Sequence, residues 1–149
     1  MKNKVSFSPG SDCLNDIIEL MQSADKYLDI CVFTISDNRI SDEIIRAFNR
    51  GIEIRIISDN EKMNDDGSDI KMLSTAGISI KIDHSPSHMH HKYMIVDEIK
   101  VLTGSYNWTK SAAEYNQENI IITDSDEICT GFIENFSQLW ETSTRIIAI

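Results

Sequence analysis

The chain contains 149 residues, with 41% hydrophobic side chains, two prolines and six glycines. These values are typical of a single globular domain, here residues 1–149, and they exclude a disordered or fibrous chain. The formal net charge of −10 does not favour tight non-specific binding to a polyanion, although it leaves room for a local basic groove.

The sequence pattern shows no targeting signal. A run of about 18 apolar residues, as a transmembrane helix requires, is not present. Basic residues occur close to the N-terminus, but no long apolar segment follows them as it would in a signal peptide. We therefore expect a cytoplasmic protein without a membrane anchor, while a targeting segment upstream is left open. The three scattered cysteines, Cys13, Cys31 and Cys129, are expected to be reduced and mostly buried.

Hydrophobic periodicity and turn residues divide the chain into strands and helices. In chain order they predict a strand over 5–7, a helix over 12–25, a strand over 27–34, a helix over 38–49, a strand over 52–58, a helix over 65–76, a strand over 78–82, strands over 93–96 and 99–102, a helical turn over 109–114, a strand over 118–123 and a helix from 125 or 126 to about 140. The last helix is expected to turn Ile128, Cys129, Phe132, Ile133, Phe136 and Leu139 inward.

The order of these elements predicts the fold class. Two helix-glycine-strand units, with Gly51 and Gly77 after the helices, indicate β-α-β crossovers and hence parallel strands. The strands over 93–96 and 99–102 are separated by so short a turn that they must form an antiparallel hairpin. The expected fold class is α/β, with a mixed β-sheet, mostly parallel in its core, sandwiched between helices.

A group of polar side chains lies on and beside the predicted hairpin. Because successive side chains of a strand alternate between its faces, His90 and Lys92 point the same way, and so do Ser105 and Asn107. If the two strands are neighbours, these groups converge and offer a nucleophile or base, a cation and two hydrogen-bond donors. Such a set suits a phosphate. Asp97 falls on the opposite face, and we expect it to hold the turn.

The spacing His90-x-Lys92-x4-Asp97-x6-Gly104-Ser105-x-Asn107 resembles the HKD motif of the phospholipase D superfamily. The resemblance covers nearly the whole chain, through Phe7-Ser8-Pro9, Val32-Phe33-Thr34, Met89-His90-His91-Lys92, Gly104-Ser105-Tyr106-Asn107-Trp108-Thr109 and Glu118-Asn119. It is similar to the small branch with one motif per chain, namely the bacterial Nuc-type endonucleases and the Zucchini or mitochondrial cardiolipin hydrolase group. The resemblance implies a phospholipase D-like α-β-α fold.

The resemblance also implies a role for each matching residue. His90 would attack phosphorus and form a phosphohistidine. Lys92 and Asn107 would hold the non-bridging oxygens and Ser105 would add a hydroxyl donor, so that no metal or other cofactor is needed to offset charge there. Glu118 would accept a hydrogen bond from the second nitrogen of His90 and fix its tautomer.

The chain carries a single copy of the motif, and this has a consequence for its assembly. The attacking histidine cannot also protonate the leaving oxygen, so a second histidine is required. We therefore expect a homodimer in which the His90 side chains of both copies face each other across a two-fold axis.

The expected activity is metal-independent phosphodiester hydrolysis by an endonuclease of low sequence specificity, with single-stranded nucleic acid preferred and duplex possible. Two alternatives stay open. One is a phospholipase D-type lipid hydrolase acting on cardiolipin or phosphatidyl substrates. The other is a nucleic-acid-binding nuclease module of a larger system.

Other interpretations compete at individual residues. The histidines between 84 and 91 are clustered, but no cysteine or closing pair of ligands accompanies them, which argues against a metal site. Ser105 lacks the Gly-x-Ser-x-Gly turn of serine hydrolases. Arg39 and Trp108 are further candidates for contact with the substrate. Arg39 follows a strand end but is equally typical of a solvated surface, and Trp108 could stack on a base but is more often a core residue.

Overall fold

The structure is a computed structural model that describes residues 3–59 and 65–145. Its strands are β1 (Asn3–Phe7), β2 (Tyr27–Val32), β3 (Glu53–Asp59), β4 (Ser79–Asp83), β5 (Lys92–Val96), β6 (Lys100–Gly104), β7 (Asn119–Thr123) and β8 (Thr144–Arg145). Its helices are α1 (Asp12–Gln22), α2 (Asn38–Asn49), α3 (Ile70–Thr75), α4 (Lys110–Glu114) and α5 (Asp126–Thr142).

The described strands form one eight-stranded sheet in the order β1-β7-β6-β5-β2-β3-β4-β8. Strands β2, β3 and β4 are parallel neighbours. From β2 the sheet continues antiparallel through β5, β6, β7 and β1. The predicted mixed sheet is confirmed, but the expectation of a mostly parallel core is wrong, because five of the seven pairings among the described strands are antiparallel. The parallel part is limited to the unit built by the two helix-glycine-strand segments. The antiparallel part is wide because β1, the first strand of the chain, pairs with the late strand β7.

Helices cover both faces of the sheet, as an α-β-α sandwich requires. Buried side chains of α1, α2, α3 and α4 share one large core with residues of the sheet. The α5 helix packs on the opposite face, where Phe136 and Cys129 join a second core with Tyr93, Ile95 and Val101. The hairpin strands therefore lie between two apolar layers, and their polar residues emerge only at the strand ends.

One inward position predicted for the last helix is wrong. Ile128 is 44% exposed. It lies at the start of α5, where it lines a surface groove with Val5 and Ile121 instead of packing beneath the helix.

Local contacts set the start of two helices. The α2 helix begins at Asn38 as predicted, and the Asp37 side chain caps it by accepting a hydrogen bond from the Arg39 N–H at 3.0 Å. The α3 helix begins at Ile70, later than predicted. The N–H of Asp69 donates to the carbonyl of Ile35 at 2.9 Å, so the backbone before α3 is engaged with a distant loop.

The β5–β6 hairpin is confirmed as antiparallel, and its turn is held from outside. Asp97 and Glu98 have φ angles of 54° and 60°, the left-handed pair that a tight hairpin turn requires. The Asp97 carboxylate accepts hydrogen bonds of 2.7 to 2.9 Å from the backbone N–H groups of Asp25, Lys26 and Tyr27. The hairpin is thereby tied to the loop that enters β2, which sets the register between β2 and β5.

The three cysteines are free and buried, as expected. Within the described residues, none of the helices is both long and apolar enough to cross a bilayer.

Candidate active site

Several strand ends meet at one edge of the sheet. The parallel strands β2 and β3 end there, β5 begins there just after His90, and β6 ends there just before Ser105. The register places Val32 of β2 opposite Lys92 of β5. This edge gathers residues from distant parts of the sequence, and the carboxyl ends of parallel strands are where α/β sheets commonly bind ligands.

His90 and Lys92 form the centre of this edge. The Nζ atom of Lys92 lies 2.8 Å from Nδ1 of His90 and donates to the His90 carbonyl oxygen at 2.7 Å. Lys92 is 9% exposed, so its ammonium group is held inside the site. The strand alternation that predicted a shared face for these two side chains agrees with this contact.

The surroundings of His90 favour its neutral form. His90 is an exposed residue, and only part of its side chain is desolvated. This partial burial lowers its pKa most, the charges of Lys92 and His88 lower it further, and Asp59 acts in the opposite direction. The pKa therefore lies below its usual value near 6.5, and the imidazole is neutral at pH 7. A neutral imidazole is the form that can act as a nucleophile.

Lys92 is a cation placed where charge is costly. Burial lowers its pKa, and the Glu118 carboxylate opposes that effect. Because this ammonium has lost part of its hydration, an anion placed beside it gains more than it would from an exposed lysine. The Lys92 ammonium is therefore suited to bind a phosphate oxygen.

Ser105 and Asn107 follow the end of β6. The Ser105 hydroxyl oxygen accepts a hydrogen bond from the Asn119 N–H at 3.1 Å, and the Ser105 N–H donates to the Asn119 carbonyl at 3.0 Å. Gly104 permits this approach of β7, because a Cβ atom there would lie 2.0 Å from that carbonyl oxygen. The side-chain oxygen of Asn107 is buried and makes no hydrogen bond within the described part of the chain. Neither residue is hydrogen-bonded to His90 or Lys92 in the single copy.

The structure places Glu118 differently from the expectation. Its backbone is clamped to Ser8, which donates its N–H to the Glu118 carbonyl at 3.0 Å and accepts from the Glu118 N–H at 3.2 Å. Its carboxylate accepts a hydrogen bond from Asn116 at 3.4 Å, and among the described residues it makes none with His90. The group that lies at Nδ1 of His90 is instead the ammonium of Lys92. In the single copy Glu118 acts on the site through the charge of Lys92.

Asp97 stands apart from this cluster. It occupies the turn at the opposite end of β5, with its carboxylate on the backbone before β2. Its position matches the structural role expected for it.

Arg39 is engaged by a buried carboxylate. Two nitrogen atoms of its guanidinium donate to the two oxygens of Asp37 at 3.0 and 2.8 Å, while the arginine side chain stays 43% exposed. Asp37 itself is fully buried. This ion pair orients the start of α2, and a substrate contact by the exposed part of Arg39 stays a prediction.

Trp108 is fully buried, with 0% exposure. This burial fits the interpretation of Trp108 as a core residue and not the alternative that its ring stacks on a base. Its carbonyl accepts hydrogen bonds of 2.9 Å from the N–H groups of Ser36 and Asp37, and its own N–H donates to Thr34 at 3.1 Å. These bonds hold the Trp108 backbone against the loop after β2. Its side chain belongs to the core that α1 to α4 share.

Two neighbours of His90 were not predicted. The Phe33 ring packs against the His90 ring with 4.5 Å between centroids. Asp59 is fully buried, and its carboxylate accepts a hydrogen bond of 2.9 Å from the N–H of Met89, the residue before His90. Both follow or end a parallel strand, and that position was the signal that could have found them.

The histidine cluster does not assemble into a ligand set. Across residues 3–59 and 65–145, no group of at least three histidine, cysteine or acidic side chains converges as a metal site would require. The His88 ring instead lies near Asp59, with 3.6 Å between Nδ1 and a carboxylate oxygen.

Comparison with known families agrees with this geometry. Residues 17–140 match the family described as cardiolipin synthase, PLD-like domain. The chain belongs to this family. Its predicted membership of the phospholipase D superfamily is confirmed.

Curated relatives of this family share substantial identity with the chain. A mitochondrial cardiolipin hydrolase of Chlamydomonas reinhardtii is 40% identical over 86% of the chain and 57% of its own length. The human protein of the same name is 36% identical over 89% of the chain and 52% of its length. A phospholipase D of Rickettsia prowazekii is 30% identical over 94% of the chain and 68% of its length. The chain thus spans little more than half the length of the first two relatives.

Solved structures of the phospholipase D superfamily have the same fold. Nuc from Salmonella typhimurium, described as a phospholipase D family member, superposes with a TM-score of 0.93 at 23% identity, and the match covers 99% of both chains. NucT from Helicobacter pylori gives a TM-score of 0.89 at 26% identity, covering 97% of this chain and 99% of that one. The predicted phospholipase D-like α-β-α fold is confirmed.

The expectation of a cytoplasmic location is wrong. The curated relatives named above as cardiolipin hydrolases are mitochondrial by name and point to that compartment. That expectation was based on the absence of a targeting signal from this sequence. A targeting signal can lie outside the segment that matches the relatives.

Proposed function

We propose that the chain, as a single domain over residues 1–149, is a metal-independent phosphodiesterase that cuts nucleic acid with low sequence specificity through a phosphohistidine on His90. The observation that carries the proposal is the contact of 2.8 Å between the imidazole of His90 and the buried ammonium of Lys92. It joins a neutral nucleophile to a cation at an open edge of the sheet. These are the two groups that an attack on a phosphodiester needs most.

The contact also suggests how substrate prepares the nucleophile. A charged Lys92 carries only donors, so Nδ1 of His90 accepts from it. A non-bridging phosphate oxygen competes for this ammonium. When Lys92 turns to the phosphate, Nδ1 is free to hold the imidazole proton, and Nε2 keeps the lone pair that attacks. Asn107 supplies amide N–H donors to the same phosphate oxygens.

The reaction then proceeds in two displacements. A bond forms between Nε2 and phosphorus as the bond to the leaving oxygen breaks, and that oxygen takes a proton from a second, protonated histidine. Water next attacks phosphorus, passes a proton to the same second histidine and releases the imidazole of His90. Lys92 and Asn107 offset the charge on the non-bridging oxygens in both steps.

The second histidine is assigned to a second copy of the chain. A two-fold axis that brings the two sites together would place His90 of each copy across the phosphate from the other. Exposed apolar side chains next to the site support such a contact. Val5, Phe7 and Ile121 are 54%, 62% and 46% exposed, and Phe7 pairs with Asn119 beside Glu118. A second copy would cover this surface.

Nucleic acid is the substrate that the surroundings of His90 support best. An open cleft of about 480 Å³ lies beside the imidazole, and five of its seven lining residues are polar: Asp83, Ser85, His88, His90 and His91, with Met89 and Leu139. Their side chains can form hydrogen bonds with sugar and base groups. The similarity to Nuc and NucT, at TM-scores of 0.93 and 0.89, supports the same choice, since the motif resembles that branch.

Hydrolysis of a phospholipid such as cardiolipin is the second candidate. The names of the curated relatives at 40% and 36% identity support it, together with a mitochondrial location. The same histidine chemistry would serve, because cardiolipin also contains phosphodiesters.

A panel of substrates tests the proposal. Single-stranded DNA, single-stranded RNA, duplex DNA and vesicles containing cardiolipin are incubated with the protein in EDTA. We expect cleavage of the single strands, and His90→Ala should lower it by at least about 10³-fold because the covalent step is lost. His84→Ala is the matched control, since His84 is an exposed histidine of the same loop.

Two outcomes of this panel would contradict the proposal. Hydrolysis of cardiolipin without cleavage of any nucleic acid would assign the second candidate. Activity that disappears in EDTA and returns with a divalent metal would exclude the metal-independent mechanism. The mass in solution, measured by sedimentation equilibrium on the same protein, tests the shared site, because a monomer that cleaves would need no second copy.

A further inference from the structure

Phe33 is a buried aromatic residue that takes no part in either apolar core. It is 8% exposed, and every other buried hydrophobic residue in the described part of the chain belongs to one of the two core clusters. Its ring instead contacts the site: the centroid lies 4.5 Å from the His90 ring, 5.4 Å from the His88 ring and 5.7 Å from Nζ of Lys92. A large apolar side chain that lies outside both cores and contacts His90, His88 and Lys92 calls for an explanation other than core filling.

The backbone holds this ring firmly. Phe33 directly follows β2, and its N–H donates to the carbonyl of His91 at 2.9 Å. The neighbouring pair, Val32 and Lys92, is in register between β2 and β5. The same pairing that places Lys92 in the sheet therefore fixes the Phe33 ring against His90, with the planes inclined by 48°.

We propose that Phe33 is a positioning residue for His90: its ring fixes the orientation of the imidazole beside Lys92 and excludes water from one side of it. The inference rests on the proposed function, because it assigns to Phe33 the support of the nucleophile in that reaction.

The electrostatic surroundings of His90 agree with this role. Burial is the largest cause that lowers the His90 pKa, ahead of the charges of Lys92 and His88, while the buried Asp59 raises it. Glu118 faces Lys92 and acts on the charge of that neighbour. An aromatic wall is a source of burial that adds no charge, so its removal should move the His90 pKa without changing any partner charge.

The direction of the expected shift follows from the protonation state. The attacking His90 reacts when neutral, so activity rises with pH as that imidazole loses its proton, and it falls again at higher pH as His90 of the second copy loses the proton that it must donate. Truncation of Phe33 admits water to the imidazole, which raises its pKa toward the ordinary value. The acid limb of this bell-shaped pH profile therefore moves to higher pH. Lost orientation lowers the maximum of the profile as well, on the order of tenfold or more, because small displacements of a reacting group are costly.

The test compares Phe33→Ala, Phe33→Leu and Phe33→Tyr with wild type. The measurements are the pH profile of kcat/KM on a single-stranded oligonucleotide and the NMR titration of the His90 imidazole. Phe33→Ala should shift the acid limb and the NMR titration and lower the maximum of the profile, and Phe33→Leu should do so less. Phe33→Tyr keeps the ring and should restore wild-type values. Phe136→Leu is the matched control, because Phe136 is a buried phenylalanine of the α5 core. It should lower stability and leave the His90 titration unchanged.

The outcome separates this inference from the proposed function. An unchanged His90 titration in folded Phe33→Ala or Phe33→Leu would overturn the water-excluding role, and an unchanged maximum of the pH profile would overturn the orienting role. If wild type cleaves no nucleic acid, the proposed function fails. The NMR titration then still reports whether the Phe33 ring controls the protonation of His90.

Discussion

The two ends of the β5–β6 hairpin carry polar residues of one motif, and their surroundings have opposite effects on the charged forms of these residues. At the turn, the Asp97 carboxylate accepts three backbone N–H groups. Burial raises its pKa, but the bonds from Tyr27, Asp25 and Lys26 outweigh that and hold the pKa below its usual range. At the other end, burial lowers the pKa of both Lys92 and His90, so their charged forms are disfavoured.

The contrast separates residues that serve the fold from residues that serve the chemistry. A carboxylate surrounded by donors stabilises the folded state and has little capacity left for a ligand. A buried ammonium beside a neutral imidazole costs stability and retains capacity for an anion. The turn end, with Asp97, therefore supports the hairpin. The opposite end, with His90 and Lys92, is the open end, and its residues are arranged at the expense of stability, as in many functional sites. Substitutions at the two ends should have opposite consequences.

The largest expected effect is on activity, at the open end. In Lys92→Met the buried charge is replaced by an apolar side chain of similar length. We expect phosphodiester cleavage to fall on the order of 10³-fold, because the cation that offsets charge on the phosphate is lost. The free energy of unfolding should stay the same or rise, since a buried charge is removed. Cleavage assays and urea denaturation of the same preparation measure both quantities.

Lys100→Met is the control for this prediction. Lys100 lies on β6 at the turn end of the hairpin, opposite Val96, and its loss should leave cleavage unchanged. If Lys92→Met instead lost stability in proportion to activity, Lys92 would be a structural residue and the contrast between the two ends would disappear.

The next effect is on stability, at the turn end. Asp97→Ala removes an ionised acceptor of three backbone bonds and places alanine at a φ of 54°. We expect it to cost about 2–3 kcal/mol, the range for hydrogen bonds to a charged group. Cleavage per folded molecule should persist, because Asp97 lies outside the site. Thermal denaturation together with an assay below the transition checks both statements.

The pH dependence of this effect has a definite sign. The folded state lowers the pKa of Asp97, so its contribution to stability is present above the unfolded pKa of about 3.9. That contribution is lost as the pH falls through the folded pKa. The difference in stability between wild type and Asp97→Asn should therefore shrink as the pH is lowered, while asparagine still tolerates the left-handed turn. A difference that does not depend on pH would mean that the charge of Asp97 is unimportant.

Local sequence patterns predicted those parts that depend on neighbouring residues. Strand alternation placed His90 and Lys92 together and Asp97 opposite, because side-chain direction follows from chain position alone. The hairpin, the helix at Asn38 and the two helix-glycine-strand units were also predicted, since caps and turns are set within a few residues.

Features that depend on contacts across the fold could not be predicted in this way. The backbone bonds of Trp108 to the loop after β2 and the presence of Lys92, not Glu118, at Nδ1 of His90 are two such features. Phe33 and Asp59 reach His90 from other strands. Strand periodicity shows which face a residue occupies, but the loop or ring that covers that face comes from elsewhere in the sequence.

The smallest expected effect distinguishes two buried tyrosines of this region. The Tyr106 hydroxyl, next to Asn107, makes no hydrogen bond within the described residues, and burial raises its pKa. The Tyr93 hydroxyl, on β5, donates to the Asn135 side chain at 2.6 Å. Tyr106→Phe should be neutral or stabilise by up to about 1 kcal/mol, because a buried polar group without a partner is removed. Tyr93→Phe should cost about 1 kcal/mol, because a formed bond is lost.

Urea denaturation of the two variants side by side tests this prediction, since both delete one oxygen from a buried aromatic ring. Equal losses of stability would show that the Tyr106 hydroxyl is as well satisfied as that of Tyr93. The loss of folding stability at the open end of the hairpin would then come from His90 and Lys92 alone. A stabilised Tyr106→Phe would show that the residue beside Asn107 also lowers the free energy of unfolding. It would indicate that the whole segment facing the phosphate reduces stability.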